Sequence, residues 1–319
     1  MQGKPRVGIS SCLLGHLVRF DGGHKREPLL SKEVGKLVEW IPVCPEFEVG
    51  MGVPREPVRL EGSRKSARMI GEGSRRDWTR RMESYARRHV RQLKRTGISG
   101  FVLKQNSPSC GLKGVPLLGP GKRTRKVGQG LFARALMSEM PLLPTAEEGH
   151  LRNPTFREGF LKRVFACHHW QEFLARPKSI PSLVTFHERH RLLLMAHGEA
   201  HLRRLDRIVG SARPGSLPRV VRNYGKAFME ALRLTPTKTK REKVLRHVLR
   251  QLPGQVPMTH RAKFERDLRR YLKGSLPLET LATHLRRHAG TSCAALLENQ
   301  LTILVKLPSR RRVEPNSKG

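Results

Sequence analysis

Three cysteine motifs, each placed after a short apolar run, constrain the fold of this chain more than any other feature. The motifs contain Cys12, Cys44 and Cys110, and helical patterns separate the runs that precede them. That alternation predicts parallel strands joined by crossover helices, and therefore a Rossmann-like α/β domain with a parallel sheet. Because the carboxyl ends of parallel strands meet at one edge of a sheet, we expect the three thiols to lie close together. The predicted strands cover residues 6–10, 38–43 and 98–104, and the apolar residues 142–144 indicate one more strand. Helical spacing of apolar residues predicts a helix at 29–38.

The second half of the chain has only helical spacing of its apolar residues, which predicts an all-helical domain with one of its helices at about 218–233. Pro177 and Pro181 interrupt the pattern between the two halves and mark a linker. Four histidines, His187, His190, His197 and His201, recur at helical spacing and are expected on a solvated face. The predicted organisation is an α/β domain at 1–165, a linker at 166–181, a basic all-helical domain at 182–308 and a disordered tail at 309–319.

The charge balance predicts a polyanionic partner. The chain carries 63 Lys and Arg against 26 Asp and Glu, a net charge of +37 that is spread over both halves. Nucleic acid is the simplest such partner, although a generally basic proteome would give the same bias. Only 5% of the residues are aromatic, so arginine must supply most contacts. The candidate RNA contacts are Arg64, Lys65, Arg68, Arg203, Arg204, Arg207, Arg219, Arg222, Lys238, Lys240 and Arg241.

The three motif cysteines are candidate metal ligands. Thiolates are soft donors suited to iron–sulfur clusters, zinc or Cu(I), and ligands from separated loops favour a bulky cluster over one small ion. A buried, structural role for all three is the alternative, since free cysteine is often a core residue. Cys167, His168 and His169 are adjacent in sequence, so on a helix they point in different directions and are not expected to share an ion.

The motifs resemble those of the thiouracil desulfurase family. The resemblance rests on Ser-Ser-Cys-Leu-Leu-Gly at 10–15, Cys-Pro-Glu at 44–46, Ser-Pro-Ser-Cys-Gly at 107–111, and the landmarks at 20–23 and 54–57. It covers roughly residues 5–150, and the helical remainder resembles an uncharacterised domain often fused to that family. The fusion implies a tRNA 4-thiouridine desulfidase that converts 4-thiouridine to uridine, with the helical part gripping tRNA.

The resemblance also implies a cofactor and site residues. Cys12, Cys44 and Cys110 would hold a [4Fe-4S] cluster whose fourth iron has no protein ligand and takes the substrate sulfur. Glu46 matches the catalytic carboxylate of the family and Ser107 a serine that positions the substrate. The alternatives are a desulfurase of free thiouracil bases and a non-catalytic iron–sulfur regulator that binds nucleic acid.

The expected setting is the reducing cytoplasm. The N-terminus lacks the apolar region of a secretory signal, and five irregularly spaced cysteines do not resemble a disulfide framework. No apolar stretch is long enough to span a membrane. Apart from tRNA, the sequence implies no obligatory protein partner.

Overall fold

The structure is a computed structural model that describes residues 3–119, 123–234, 236–250, 257–273, 275–276, 280–281 and 283. The chain divides into two compact units, Met1–Glu172 and Phe173–Gly319. The first contains both sheets and the second is helical where described, which confirms an α/β region followed by an all-α region.

A four-stranded parallel sheet organises the first unit. Its strands are β1 (Arg6–Ser10), β2 (Glu39–Val43), β5 (Gly100–Leu103) and β8 (Thr145–Glu147), in the order β2-β1-β5-β8. All three pairings are parallel, with Val7 opposite both Trp40 and Gly100. Pro42 is tolerated because β2 is an edge strand, where a missing amide donor costs no ladder hydrogen bond. The last strand begins at Thr145, just after the apolar residues 142–144 that indicated it in the sequence.

A second sheet was not predicted from the sequence. It contains β3 (Val58–Gly62), β4 (Ala67–Gly71), β6 (Val115–Leu118) and β7 (Thr124–Gly128), in the order β4-β3-β6-β7. The β3–β4 and β6–β7 pairings are antiparallel, whereas β3 and β6 are parallel. These strands alternate weakly; β7, for example, exposes four of its five residues.

Two helices cover the parallel sheet and complete its core. They are α1 (Thr79–Arg95) and α2 (Leu131–Glu139). Met82 of α1, Phe101 of β5 and Phe132 of α2 are fully buried in one hydrophobic cluster. The helix expected at 29–38 is instead a π turn at Leu29–Glu33 followed by a 3₁₀ turn at Val34–Lys36.

The remaining helices follow in sequence. The short α3 (Glu148–Leu151) directly follows β8 and is followed by α4 (Pro154–Ala175). Much of the range predicted as a linker is therefore helical, because Pro177 lies beyond the last turn of α4 and does not interrupt it. The second unit contains α5 (Ile180–His197), α6 (Glu199–Gly210), α7 (Leu217–Leu232), α8 (Lys238–Arg250) and α9 (Met258–Leu272).

The histidines of α5 are in the core of the helical unit and not on a solvated face. His187, His190 and His197 are at most 3% exposed. His187 forms hydrogen bonds through Nε2 with Asp206 Oδ1 at 2.9 Å and through Nδ1 with Tyr224 Oη at 3.1 Å. His190 and His197 each contact a backbone carbonyl through Nδ1. Buried polar groups need such partners, and sequence spacing does not reveal them.

Two expectations lie outside the described residues: the disordered tail at 309–319 and the end of the helical domain at 308. Among the helices that the structure describes, none is long and apolar enough to cross a membrane.

Candidate active site

The carboxyl edge of the parallel sheet holds a pocket of about 330 Å³ in which the three motif cysteines meet. Cys12 lies in a 3₁₀ turn, Ser11–Leu13, that directly follows β1. Cys44 is the first residue after β2, and Cys110 ends the loop that leaves β5. All three line the pocket. The parallel register of the sheet therefore places the thiols together, as their positions after strands led us to expect.

The surroundings of the thiols are apolar enough to keep them protonated at neutral pH in the metal-free chain. Burial, with a smaller contribution from neighbouring Cys44, raises the pKa of the Cys12 thiol to about 11. Burial is also the main reason that the pKa values of Cys44 and Cys110 are raised. Thiolates are the ligating form of cysteine, so a bound metal must displace these protons and supply the compensating positive charge.

The donor set fits an iron–sulfur cluster. Cys12, Cys44 and Cys110 offer soft sulfur ligands on three separate backbone segments. In the described part of the chain, no three His, Cys, Asp or Glu side chains are grouped so that they could hold one metal ion. The sulfurs share a pocket without converging on one point, and a cluster binds each cysteine through a different iron.

Glu46 is fixed beside the thiols by two donors. Arg55 Nη2 donates to its Oε2 at 2.7 Å, and Ser109 Oγ donates to its Oε1 at 2.6 Å. The side chains of Arg55 and Glu46 are 5% and 14% exposed, so this ion pair is nearly removed from solvent. Each carboxylate oxygen keeps a further lone pair for a proton or a water molecule. The sequence identified Glu46, but only the fold shows what orients it.

Ser107 and Ser109 have different roles in the loop that ends at Cys110. Ser107 Oγ accepts from the amides of Ser109 and Cys110 at 3.2 and 3.1 Å, which fixes the turn that presents the cysteine. Because Ser107 lines the pocket and its oxygen serves as an acceptor in these bonds, its hydroxyl proton can point to a substrate. Ser109 is 1% exposed and holds Glu46 instead.

The backbone at Cys44 has its own support. Its amide donates to Glu48 Oε1 at 3.1 Å, and Tyr85 Oη donates to the other oxygen of Glu48 at 2.6 Å. Burial and the hydrogen bond to Glu48 raise the pKa of Tyr85, so its phenol stays a donor. This network anchors the turn at Cys44 to helix α1.

Four basic side chains line the pocket: Arg19, Lys25, Arg55 and Lys104. Lys104 forms an ion pair with Glu148 and donates to the carbonyl of Gln105 at 3.0 Å. Arg19 pairs with Asp21 at 3.0 Å. Sequence reasoning did not assign these roles; for Arg55 the only signal was its position in the landmark at 54–57.

The predicted RNA contacts of the first unit lie elsewhere. Arg64 and Lys65 are exposed in the turn between β3 and β4, and Arg68 on β4 pairs with Asp77 at 2.6 Å. None of the three is among the residues that line the pocket.

The predicted contacts of the second unit fall into three groups. Arg203 and Arg204 form ion pairs with Glu199 and Glu230, and Lys240 Nζ donates to the carbonyl of His197. The side chains of Lys238 and Arg241 lie outside the described structure. The other three predicted contacts, Arg207, Arg219 and Arg222, are exposed and form no ion pair with another described residue.

Cys167 and its neighbouring histidines do not form a metal site. Cys167 is buried in α4, and burial raises its pKa to about 12. His168 Nε2 contacts the carbonyl of Gly3 at 2.9 Å and lies 3.6 Å from Glu172. The buried cysteine and the half-buried His168 thus have separate surroundings, in line with the expectation that these neighbours do not share an ion.

Comparison with known proteins gives three findings. Residues 7–148 match the family described as 2-thiouracil desulfurase, and residues 191–304 match a family of unknown function, DUF1722. The uncharacterised protein YbbK of Bacillus subtilis strain 168 is 33% identical over 32% of this chain and 71% of its own length. A solved structure of the [4Fe-4S]-dependent thiouracil desulfidase TudS is 28% identical and covers 47% of this chain and 94% of its own, with a TM-score of 0.39.

The 2-thiouracil desulfurase match, over residues 7–148, falls within the unit that contains the three-cysteine pocket and confirms the expectation of a desulfurase enzyme. The chain belongs to the 2-thiouracil desulfurase family.

Proposed function

We propose that this protein is a desulfidase that converts 4-thiouridine in tRNA to uridine. The observation that carries the proposal is the pocket in which three thiols, two half-buried and that of Cys110 buried, lie beside a carboxylate fixed by two donors. The net charge of +37 and the basic helical unit support a polyanionic substrate rather than a free base.

Cys12, Cys44 and Cys110 would hold a [4Fe-4S] cluster. When bound, the cluster supplies an iron without a protein ligand, which acts as a Lewis acid toward the thione sulfur and polarises the C–S bond. Water replaces the sulfur at the pyrimidine carbon, and the products are a carbonyl and hydrogen sulfide. The carbon keeps its oxidation state, so the reaction needs no electron donor.

The protein residues supply orientation and proton transfer. Glu46 binds the attacking water through a carboxylate oxygen and accepts its proton, a role that its fixed position beside the thiols allows. Arg55 and Ser109 keep that carboxylate in one orientation. Ser107 positions the substrate by donating a hydrogen bond from its hydroxyl group to the pyrimidine ring. A thiouridine inside a folded tRNA must leave its stack to enter the pocket.

A second candidate substrate is a free thiouracil base. The family match covers residues 7–148, which include every residue that lines the pocket. Desulfuration of a free base in this pocket would not require the helical unit. The two candidates differ in whether kcat/KM is higher for tRNA or for the base.

The test is to reconstitute the protein with iron and sulfide under anaerobic conditions and incubate it with bulk tRNA that contains 4-thiouridine. Digestion to nucleosides should show loss of 4-thiouridine and a matching gain of uridine. Cys110→Ala should lose both the broad visible absorbance of the cluster and turnover. Cys167→Ala removes a buried thiol outside the pocket and is the matched control, expected to keep both.

The outcomes separate the candidates. Intact 4-thiouridine together with turnover of free thiouracil would replace the first candidate by the second. A loaded protein that acts on neither substrate would contradict the proposed chemistry, and a full cluster in Cys110→Ala would refute the ligand assignment.

A further inference from the structure

The helical unit contains a basic cleft, distinct from the cysteine pocket, with a volume of about 600 Å³. It is open to solvent and lies between residues of α6, α7 and the segment that joins them. The cleft is lined by Arg204, Arg207, Ile208, Ser211, Asn223 and Lys226.

The helix packing explains why these side chains share one cleft. On α6, Leu202 and Leu205 are buried, and on α7, Val220 and Tyr224 are buried, so the two helices contact through their apolar faces. Residues 204, 207 and 211 follow one another at helical spacing beside that contact, as do 223 and 226 on α7. Residues 204 and 211 are separated by about 10 Å along the helix axis, enough for more than one phosphate of a nucleic-acid strand.

Positive charge in the cleft is only partly compensated. Glu230 pairs with Arg204 at 3.0 Å. Asp206 is engaged on another side of α6 by His187 and Arg191, each at 2.9 Å. No carboxylate lines the cleft itself, so two exposed cations remain without a partner among the described residues: Arg207 and Lys226.

The neutral residues are polar in a way that suits a sugar–phosphate strand. Asn223 is exposed, and its amide has no hydrogen-bond partner in the described structure, so it can both donate and accept. An amide of this kind can bond a ribose 2′-hydroxyl, which is donor and acceptor at once. Ser211 uses its hydroxyl proton on the carbonyl of Ile208 at 2.8 Å, which leaves its oxygen as an acceptor.

We infer that this cleft binds the phosphodiester backbone of RNA, with Arg207 and Lys226 as the phosphate contacts and Asn223 on the ribose. Two cations across one groove repel each other in the free protein, and a phosphate between them removes that repulsion and adds two charge-assisted hydrogen bonds. The inference deepens the proposed function, on which it rests for an RNA substrate, and it narrows the predicted contacts to one face of the helical unit.

The test is a binding titration of the full-length protein with an unmodified, fluorescently labelled tRNA transcript over a series of salt concentrations. In Arg207→Gln/Lys226→Gln, affinity should fall at least about tenfold, and the slope of log K against log salt should become shallower by about 1.4 to 2. Asn223→Ala should weaken RNA more than DNA of the same sequence.

A matched control removes the same charge from another surface of the helical unit. Lys263→Gln/Arg269→Gln replaces two exposed cations of α9 that do not line the cleft. Its affinity and salt slope should stay near those of the parent. All variants should melt within about 2 °C of the parent, since these side chains are exposed.

Equal losses in the cleft and control variants would mean that RNA binding depends on overall charge, and would overturn the cleft assignment. Inorganic phosphate that binds the protein tightly by itself and displaces the transcript would also overturn the assignment, in favour of a site for small anions. Because the transcript contains no thiouridine and undergoes no reaction, the result stands whether or not tRNA proves to be the substrate.

Discussion

Arg55 connects three segments of the active-site pocket through a single guanidinium. Its Nη1 donates to the carbonyls of Val18 and Gly52 at 3.1 and 2.9 Å, while Nη2 donates to Glu46. Its Nε is buried and has no partner in the described part of the chain. The planar guanidinium of a buried arginine held in this way fixes the direction of the carboxylate more strictly than the ammonium group of a lysine would.

Replacing Arg55 should therefore damage turnover more than cofactor loading. We expect Arg55→Lys to lower kcat by about 10²-fold, because a misplaced catalytic group costs about that much, while KM changes little. Iron content per chain should stay near the parent value, since Arg55 is not one of the three thiols. Steady-state kinetics and iron analysis of the reconstituted variant provide the check.

Two further variants make this prediction decisive. Ser109→Ala removes the other donor to Glu46 without changing charge and should also lower kcat. Arg59→Met removes an arginine that pairs with Glu61 outside the pocket, and it should leave kcat unchanged. If the iron content of Arg55→Lys fell by the same factor as its kcat, Arg55 would support the cofactor site and not the orientation of Glu46.

At this scale the sequence identifies residues whose chemistry is local but not those whose role depends on the fold. Cys12, Cys44 and Cys110 could be selected because each follows a strand and carries a ligating atom. Arg55 and Ser109 could not, because the contacts to Glu46 cross 9 and 63 residues of chain.

At the scale of elements, the first turn of α2 fixes the loop that presents Cys110. The amide of Leu131 donates to the carbonyl of Pro108 at 3.1 Å, and the amide of Phe132 donates to that of Ser109 at 3.0 Å. Helix amides that would otherwise lack partners are thus satisfied by the loop. The approach is close: a Cβ on Gly130 would lie 2.3 Å from the carbonyl oxygen of Ser109.

A side chain at Gly130 should therefore displace the cysteine loop. Gly130→Ala should reduce the free energy of unfolding by about 1–3 kcal/mol, the usual cost of overpacking, and should lower iron content after reconstitution. Gly159→Ala in α4 is the control, because nothing lies within 4 Å of its added Cβ. That variant should be as stable as the parent or more stable by up to about 1 kcal/mol, the difference in helix propensity.

Urea unfolding and iron analysis of the two variants provide the measurement. If Gly130→Ala kept the parent's stability and iron content, the close contact between α2 and the loop would not control the position of Cys110.

Elements with strong periodicity were predictable and those built from tertiary contacts were not. Strand β1 and helix α7 lie within a residue or so of the positions expected from their apolar spacing. The second sheet was missed because its strands are short and partly charged; β3, for example, reads Val-Arg-Leu-Glu-Gly. At 29–38, helical spacing of apolar residues produced two irregular turns, since the same spacing also lets a tight turn bury Leu30 and Val34.

At the scale of the whole molecule, charge opposes folding and favours an anionic ligand. A net charge of +37 means that most basic side chains have no acidic counterpart anywhere in the chain. Self-repulsion of this kind destabilises the compact state, and any polyanion that binds the folded chain relieves it. Stability and RNA affinity should therefore respond to salt in opposite directions.

We expect the melting temperature to rise by a few degrees as NaCl increases from about 0.1 M to about 1 M, because the Debye length falls from about 10 Å to about 3 Å and screens the repulsion. Over the same range the affinity for the tRNA transcript should fall steeply. In most of the described ion pairs at least one side chain is exposed. A pair in which both are exposed, such as Lys94 with Glu139, contributes at most about 1 kcal/mol that salt also screens. The sign of the measured change in melting temperature decides which effect is larger. A fall in melting temperature with salt would show that the ion pairs outweigh the repulsion, and the excess charge would then not destabilise the free protein.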